Sequence, residues 1–455
     1  MEMILEFLRD VLSQPALLIG IMSCVGLIAL KRPFHKIMTG TLKPILGYLM
    51  LAAGAGVIVS NLDPLGKMIE HGFHITGVVP NNEAIVAVAQ KVLGVETMSI
   101  LVVGLLMNLL IARFTKFKYV FLTGHHSLFM ACLMSAVLGT AGLSGIELIL
   151  VGGFLMGAWS AISPAIGQSY TSKVTDGDEI ALGHFGSLGY YLSAWVAKYV
   201  GKAEESTEDI EIPEKWGFLR DSTLSTALTM IVFYLIAAIA AGSEFVATLS
   251  GSMSPYLFAV MSAMNFAVGV AVVYSGVRMI LGDLIPAFQG IATKIIPNAI
   301  PAVDCAVFFT YAPTAVVLGF ISSFIGGIIG MLILGAVGGV LIIPGLVPHF
   351  FCGATAGIYG NATGGRRGAA VGAFLNGLAI TFLPALALPV LGQLGFQNTT
   401  FGDADFAVMG LVLGNAFEWI GMAGIYGVVV IAALVLIIPN FIKTKGKVIN
   451  YVEEE

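Results

Sequence analysis

The sequence predicts an all-α integral membrane protein of about 11 transmembrane helices, and three observations lead there. Charge is scarce: Asp, Glu, Lys and Arg make up 11% of the 455 residues, against 57% hydrophobic residues. A soluble domain carries roughly a quarter charged residues, so this chain cannot cover itself with polar surface. The apolar runs are long. Val11 to Leu30, Leu224 to Ala241 and Pro255 to Val273 carry almost no charge, and about 20 such residues cross a bilayer's hydrocarbon core. Finally, the positive charges fall in alternate connections, as the retention of basic loops in the cytoplasm requires.

In chain order, the acidic stretch Met1 to Asp10 has no basic n-region or small-residue cleavage site, so 11–30 is expected as a retained first span. Further spans are expected at 45–62, 97–113, 119–139, 145–163, 224–241, 255–275, 302–322, 323–343, 370–390 and 411–440. Lys31, Arg32, Lys36 and Lys43 mix with apolar residues and suit a short helix in the membrane interface. Basic residues recur at Arg113, Lys116 and Lys118, at 198–220, at Arg366 and Arg367, and at Lys443, Lys445 and Lys447; the connections 140–144, 242–254 and 391–406 have none. An N-terminus outside and a C-terminus inside satisfy this pattern. The acidic stretch 201–221, with Glu204, Glu205, Glu208, Asp209, Glu211 and Glu214, reads as a solvated linker between two hydrophobic halves.

Two apolar stretches, 164–190 and 344–369, are broken by Gly, Pro and polar residues. They follow the spans that hold His125 and Asp304, with a similar offset in each half. Paired interrupted segments in transporters place the substrate between them, because freed backbone groups and helix ends bind polar ligands.

Ionisable residues inside spans are costly and usually face a cavity or a partner. Thr123-Gly124-His125-His126 offers an imidazole that can donate and accept, or lies at the interface beside Lys116 and Lys118. Thr175-Asp176-Gly177 has the composition of a turn, which makes a re-entrant hairpin with Gly183 and His184 on its returning arm. The alternative for His184 is packing inside the bundle. Asp304 either accepts from substrate hydroxyls or caps the helix that begins there. Asn361 and Thr363, in a Gly-rich run ahead of Arg366 and Arg367, suit a polar ligand or the cytoplasmic edge. Ser60 and Asn61, after Gly54 and Gly56, either offer polar groups to a ligand or end a closely packed helix, and Glu418-Trp419 reads as an interfacial pair.

Other classes are excluded. There is no Gly-rich run ending in Gly-Lys-Ser/Thr for a nucleotide, no repeated Arg of a voltage sensor, and no basic patch for nucleic acid. The four cysteines, Cys24, Cys132, Cys305 and Cys352, lack zinc-ligand spacing and read as small buried hydrophobes. No metal and no cofactor is expected.

Taken together, Thr123-Gly124-His125, the 174–177 run with Gly183-His184, and Asp304-Cys305 resemble the membrane (IIC) component of the ascorbate-type bacterial phosphotransferase system. Ala53-Gly54-Ala55-Gly56, the 201–206 linker and 341–345 support the resemblance, which runs from about residue 15 to 440. It implies a homodimer in the bacterial inner membrane, with a scaffold domain (1–95 and 222–275) and a mobile core (96–200 and 300–440) built around two re-entrant hairpins. The core would carry a sugar across as an elevator. A separate IIB protein, charged by IIA, would phosphorylate the sugar in the cytoplasm, so the chain itself would be no enzyme. His125, His184, Asp304, Thr123, Gly183, Asn361 and Thr363 are the expected substrate-binding residues. The chain departs from the pattern where glutamines are expected, holding Phe129-Met130 and Phe185-Gly186. Each lost amide removes hydrogen bonds of about 0.5–1.5 kcal/mol, so another sugar acid or polyol rivals ascorbate. Two other classes remain: an ion-coupled transporter with Asp304 or a histidine as proton site, and a non-transporting membrane scaffold or sensor.

Overall fold

A computed structural model of the chain describes residues 11, 14–74, 77–80, 82–177, 180–210, 222–392 and 399–441. The acidic N-terminus, the second half of the acidic linker and the basic C-terminal cluster lie outside these residues. The described chain is mostly helical. Among these residues, seven helices are long and apolar enough to cross a membrane, or eight with one pair bent by 117° at Gly242.

Helix α1 (Pro15–Ala29) starts with Pro at its first turn and ends in a left-handed turn at Lys31 (φ 53°). Pro33 then precedes α2 (Phe34–Phe73), which runs 40 residues without a break. The basic stretch 31–43 is therefore no separate interfacial helix, because nothing after Phe34 stops helix propagation and Pro44 is absorbed within it. Ser60 and Asn61 lie inside α2 and bond back to the Val57 carbonyl (3.0 and 2.7 Å), so they do not end it. Helix α2 packs against α7 (Ser222–Ala241) and α9 (Pro255–Lys294), with α8 (Ser243–Ser250) beyond the bend. A Cβ on Gly54 would lie 2.7 Å from the Gly269 carbonyl, so α2 and α9 approach at backbone distance there.

Strand β1 (Val79–Pro80) leads to α3 (Asn82–Phe114). Lys118 donates to the Ala112 carbonyl at the end of α3 (3.0 Å), and burial, then Arg113, lowers its pKa. The expected span 119–139 is a strand, β2 (Tyr119–Phe121), followed by α4 (Gly124–Thr140). Helix α5 (Gly145–Val174) continues through 164, and left-handed residues Asp176 and Gly177 turn the chain into β3 (Ala181–Leu182) and α6 (Ser187–Val200). The expected spans 302–322 and 323–343 are likewise redrawn. Ile300–Val303 forms β4, Cys305–Thr310 a 3-10 turn, and Pro313 opens one helix, α10 (Pro313–Ala336). Pro301 withholds a helix donor and Pro313 is favoured at a first helical turn, so the chain begins its helix there. Helix α11 (Leu346–Gly392) absorbs 370–390 and breaks only at Gly364 and Gly365 (φ 58°). After β5 (Thr399–Thr400), the run 411–440 divides at Gly421 (φ 62°) into α12 (Ala404–Ile420) and α13 (Met422–Ile437).

The short strands position the rest. β2, β4 and β3 form a parallel sheet in that order, pairing Phe121 and Ala181 with Ala302 on opposite sides. Its outer edges are closed by amides from neighbouring helices. Asn108 of α3 accepts from Phe121 N (3.0 Å) and donates to Tyr119 O (3.1 Å), acting as a fourth strand, while Gln168 of α5 donates to Ile180 O (3.0 Å).

The described part of the linker is docked and not merely solvated. Glu208 accepts from Thr314 N (3.0 Å), Thr314 Oγ1 (2.9 Å) and Ala315 N (3.1 Å), capping the N-terminus of α10. Arg366 N donates to Glu205 O (2.8 Å) at the break in α11.

Asn108→Leu would leave the Phe121 N–H and Tyr119 carbonyl buried without partners. A loss of about 2–4 kcal/mol is expected from two such groups, read as a lower melting temperature of the detergent-solubilised protein. Asn108→Asp, which keeps the acceptor for Phe121 N, should lose less.

Candidate functional site

Three parallel strands that end together deliver their next residues to one place. Thr123-Gly124-His125-His126 follows β2, Gly183-His184 follows β3, and Asp304-Cys305 follows β4. Past these ends lies a cavity of about 870 Å³ bounded on one side by α2, lined among others by Tyr48, His125, His126, Phe129, His184, Asp304 and Asp403. The parallel register thus places side chains distant in sequence on one wall.

Asp304 has two roles at once. Its Oδ1 accepts from Ala306 N (3.0 Å), capping the 3-10 turn, and its Oδ2 lies 3.4 Å from His125 Nε2. His125 is the most open of these groups and meets the Tyr48 hydroxyl of α2 through Nδ1 (3.1 Å). His184 is buried; Gly186 N and the Tyr190 hydroxyl reach its Nδ1 at 3.1 and 2.9 Å, and Asp403 Oδ1 lies 3.8 Å away. The His126 ring lies 3.8 Å from that of His184 between centroids and stacks on Phe406, and its Nδ1 accepts from Phe185 N (3.3 Å).

Of the other expected residues, Gly183 sits where a Cβ would collide with the Ala302 carbonyl, so it permits the β3–β4 approach. Thr123 is buried and is not among the residues lining the cavity, and its Oγ1 has no partner among the described residues. Asn361 and Thr363 are not brought to the cavity. Asn361 accepts from Thr207 N (2.8 Å) and Thr363 donates to Ala194 O (3.0 Å), so both hold the linker and helices at the break in α11.

Sequence reasoning missed Asp403, Asp405, Tyr48, Tyr190 and Cys352. Asp403 accepts from Asn82 Nδ2 (2.6 Å) and Cys352 Sγ (2.9 Å) while facing the cavity. Asp405 caps α6 through Leu188 N (2.9 Å) and Ser187 Oγ (2.7 Å), accepts from Trp159 Nε1 (3.1 Å), and its own N–H bonds Phe185 O (2.9 Å). The signal was Phe401-Gly402-Asp403-Ala404-Asp405-Phe406, two carboxylates in an apolar frame, weighed only as a loop without positive charge.

His126, His184 and Asp403, and separately His184, Asp304 and Cys305, bring potential metal-ligand atoms within 4.8 Å. The hydrogen bonds do not suit a metal. A backbone N–H can only donate, so Phe185 N and Gly186 N require lone pairs on His126 Nδ1 and His184 Nδ1. Each neutral ring then carries its proton on Nε2, and neither nitrogen is free to ligate.

Long apolar helices with irregular backbone kept in the interior, around a cavity lined by histidines and carboxylates, define a multi-pass membrane protein. The sequence model of the EIIC-GAT family, described as the PTS system sugar-specific permease component, matches residues 10–405. The chain belongs to this family. It is also 26% identical over 417 residues to the ascorbate-specific PTS system EIIC component of Mycoplasma pneumoniae, an alignment covering 78% of this chain. The chain spans about 62% of that relative's length.

Ring-nitrogen chemical shifts in the isotopically labelled protein should show His126 and His184 as Nε2–H tautomers at neutral pH. Excess Zn2+ should leave the melting temperature unchanged; a stabilised protein would contradict the hydrogen-bond assignment.

Proposed function

We propose that the chain is the membrane permease of a phosphotransferase system, which carries a small polyhydroxylated solute to a cytoplasmic phosphorylation step. The observation that carries this reading is the family match across residues 10–405. The convergence of His125, His184 and Asp304 on one cavity is consistent with it. The Mycoplasma pneumoniae relative's name makes ascorbate the first candidate, with other sugar acids and polyols as rivals.

The same reading gives the protein to the bacterial inner membrane as a homodimer, N-terminus outside and C-terminus in the cytoplasm. Residues 1–95 and 222–275 form the scaffold, and 96–200 and 300–440 the core that moves as an elevator. The packing of α2 against α7 and α9, with the cavity between α2 and the core, supports that division. The Tyr48–His125 contact joins the two parts and must break as the core moves. Separate IIA and IIB proteins supply the phosphoryl group. Coupling is by trapping, since a phosphorylated product cannot return through the site. In the core, hydroxyls donate to Asp304 and Asp403 and accept from imidazole N–H groups.

Uptake of labelled ascorbate and a polyol panel by vesicles, with and without cognate IIA and IIB, tests this. Phosphorylated product should accumulate only with the partners. His125→Ala and Asp304→Asn should each cut uptake at least about tenfold, the loss of a hydrogen bond to a charged or polarised group, while the protein still inserts. Uptake that persists without the partners and collapses with a protonophore would reassign the chain to ion-coupled transport.

A further inference from the structure

Asp405 is fully buried and does not line the cavity, so it is out of reach of anything held there. Its partners nevertheless gather on the turn that follows His184. Its own N–H donates to Phe185 O (2.9 Å), Oδ1 accepts from Leu188 N (2.9 Å) and Oδ2 from Ser187 Oγ (2.7 Å). Trp159 Nε1 (3.1 Å) then ties Oδ2 to α5. All three donors to the side chain are neutral groups, and a neutral residue of similar shape would avoid burying a charge. What the carboxylate alone does is accept on both oxygens. The turn it grips carries the donors to two imidazoles. Phe185 N reaches His126 Nδ1 (3.3 Å) and Gly186 N reaches His184 Nδ1 (3.1 Å), and both rings line the cavity. Packing pins the turn at its middle as well, because a Cβ on Gly186 would collide with the Tyr190 hydroxyl.

The geometry points to Asp405 as a positioning residue: through the 185–188 turn it holds the two N–H groups that keep His126 and His184 as Nε2–H tautomers. The consequence for transport rests on the permease reading, whereas the tautomers do not. A tautomer decides whether a ring turns a donor or an acceptor to the cavity, so a residue that never touches the solute sets the polarity of that wall. Asp405→Asn keeps the shape but breaks the pattern. With the amide oxygen on Leu188 N, its NH2 faces the Trp159 N–H, donor against donor. The reverse orientation sets the NH2 against Leu188 N instead. Trp159→Phe removes the first conflict and leaves Ser187 Oγ to accept from the amide, so the second change should repair the first.

The test reads the ring-nitrogen chemical shifts of the isotopically labelled full-length protein at neutral pH. Asp405→Asn should turn His126 and His184 into mixtures of tautomers. Trp159→Phe alone should leave both as Nε2–H, and the double variant should return most of that form. Ser187→Ala, which removes a single bond to the carboxylate, should shift the rings less and in the same direction, and it serves if Asp405→Asn does not insert. A lower melting temperature with the Nε2–H shifts intact would make Asp405 a packing residue only and overturn the inference. A double variant no better than Asp405→Asn would do the same. In vesicles with IIA and IIB, Asp405→Asn should raise the half-saturation concentration for labelled ascorbate about tenfold and keep the maximal rate within about twofold. A fall in maximal rate alone counts against positioning. The two readings fail separately. Wild-type vesicles that form no phosphorylated product retire the permease and leave the tautomer result standing, whereas unchanged tautomers retire the positioning role whatever is transported.

Discussion

Everything at the centre of this protein depends on keeping non-helical backbone paired away from water. An unpaired peptide group in an apolar interior costs several kcal/mol, and three short strands lie at the heart of the helical bundle. Their solution is a parallel ladder centred on β4, with Asn108 closing one edge and Gln168 bonding at the other. Two side-chain amides thus take the place of further strands. Because the ladder is parallel, all three strands end on the same side. The residues after them, which bear the histidines and Asp304, are gathered there by register alone.

The same economy governs the carboxylates. Asp304 and Asp405 each cap a helical turn and also hold a neighbouring segment, His125 for one and the 185–188 loop for the other. Helix starts supply N–H groups that satisfy the oxygens of a buried carboxylate, and of the two it is Asp304 that lines the cavity. Asp403 is held from the opposite direction by Asn82 and Cys352. Phe185 and Phe406 pack on the His126 ring, with Phe121 stacked on Phe185 and Phe401 against Phe406 behind them. Where amides were expected, the chain has placed ring faces, which turn this wall of the site from hydrogen bonding to packing.

The linker shows a comparable reversal. Its acidic residues look made for water, yet Glu208 seats on the N-terminus of α10, where the helix presents free N–H groups and positive potential. Asn361 serves this docking, while Thr363 ties α11 to the Ala194 carbonyl of α6. Their composition, Gly-rich with an amide and a hydroxyl, is that of a ligand loop. It is equally that of a tight helix break beside a passing chain, and composition alone does not separate the two.

The sequence by itself determined the membrane class, the apolar segments, the turn at Asp176-Gly177, and the grouping of His125, His184 and Asp304 as residues too costly to be incidental. Those features follow from local composition and from the expense of charge in an apolar medium. Only the tertiary structure decided that 119–121 and 300–303 are strands, that Asp403 lines the cavity, and that Asn361 lies away from it against the linker. These outcomes rest on pairing between segments up to some hundreds of residues apart, where a four-residue apolar run reads identically as helix or strand until its partner is present. The Nε2–H tautomer of His126 belongs to the same group, because it is set by Phe185 N from a distant segment, whereas that of His184 is set locally by Gly186 N.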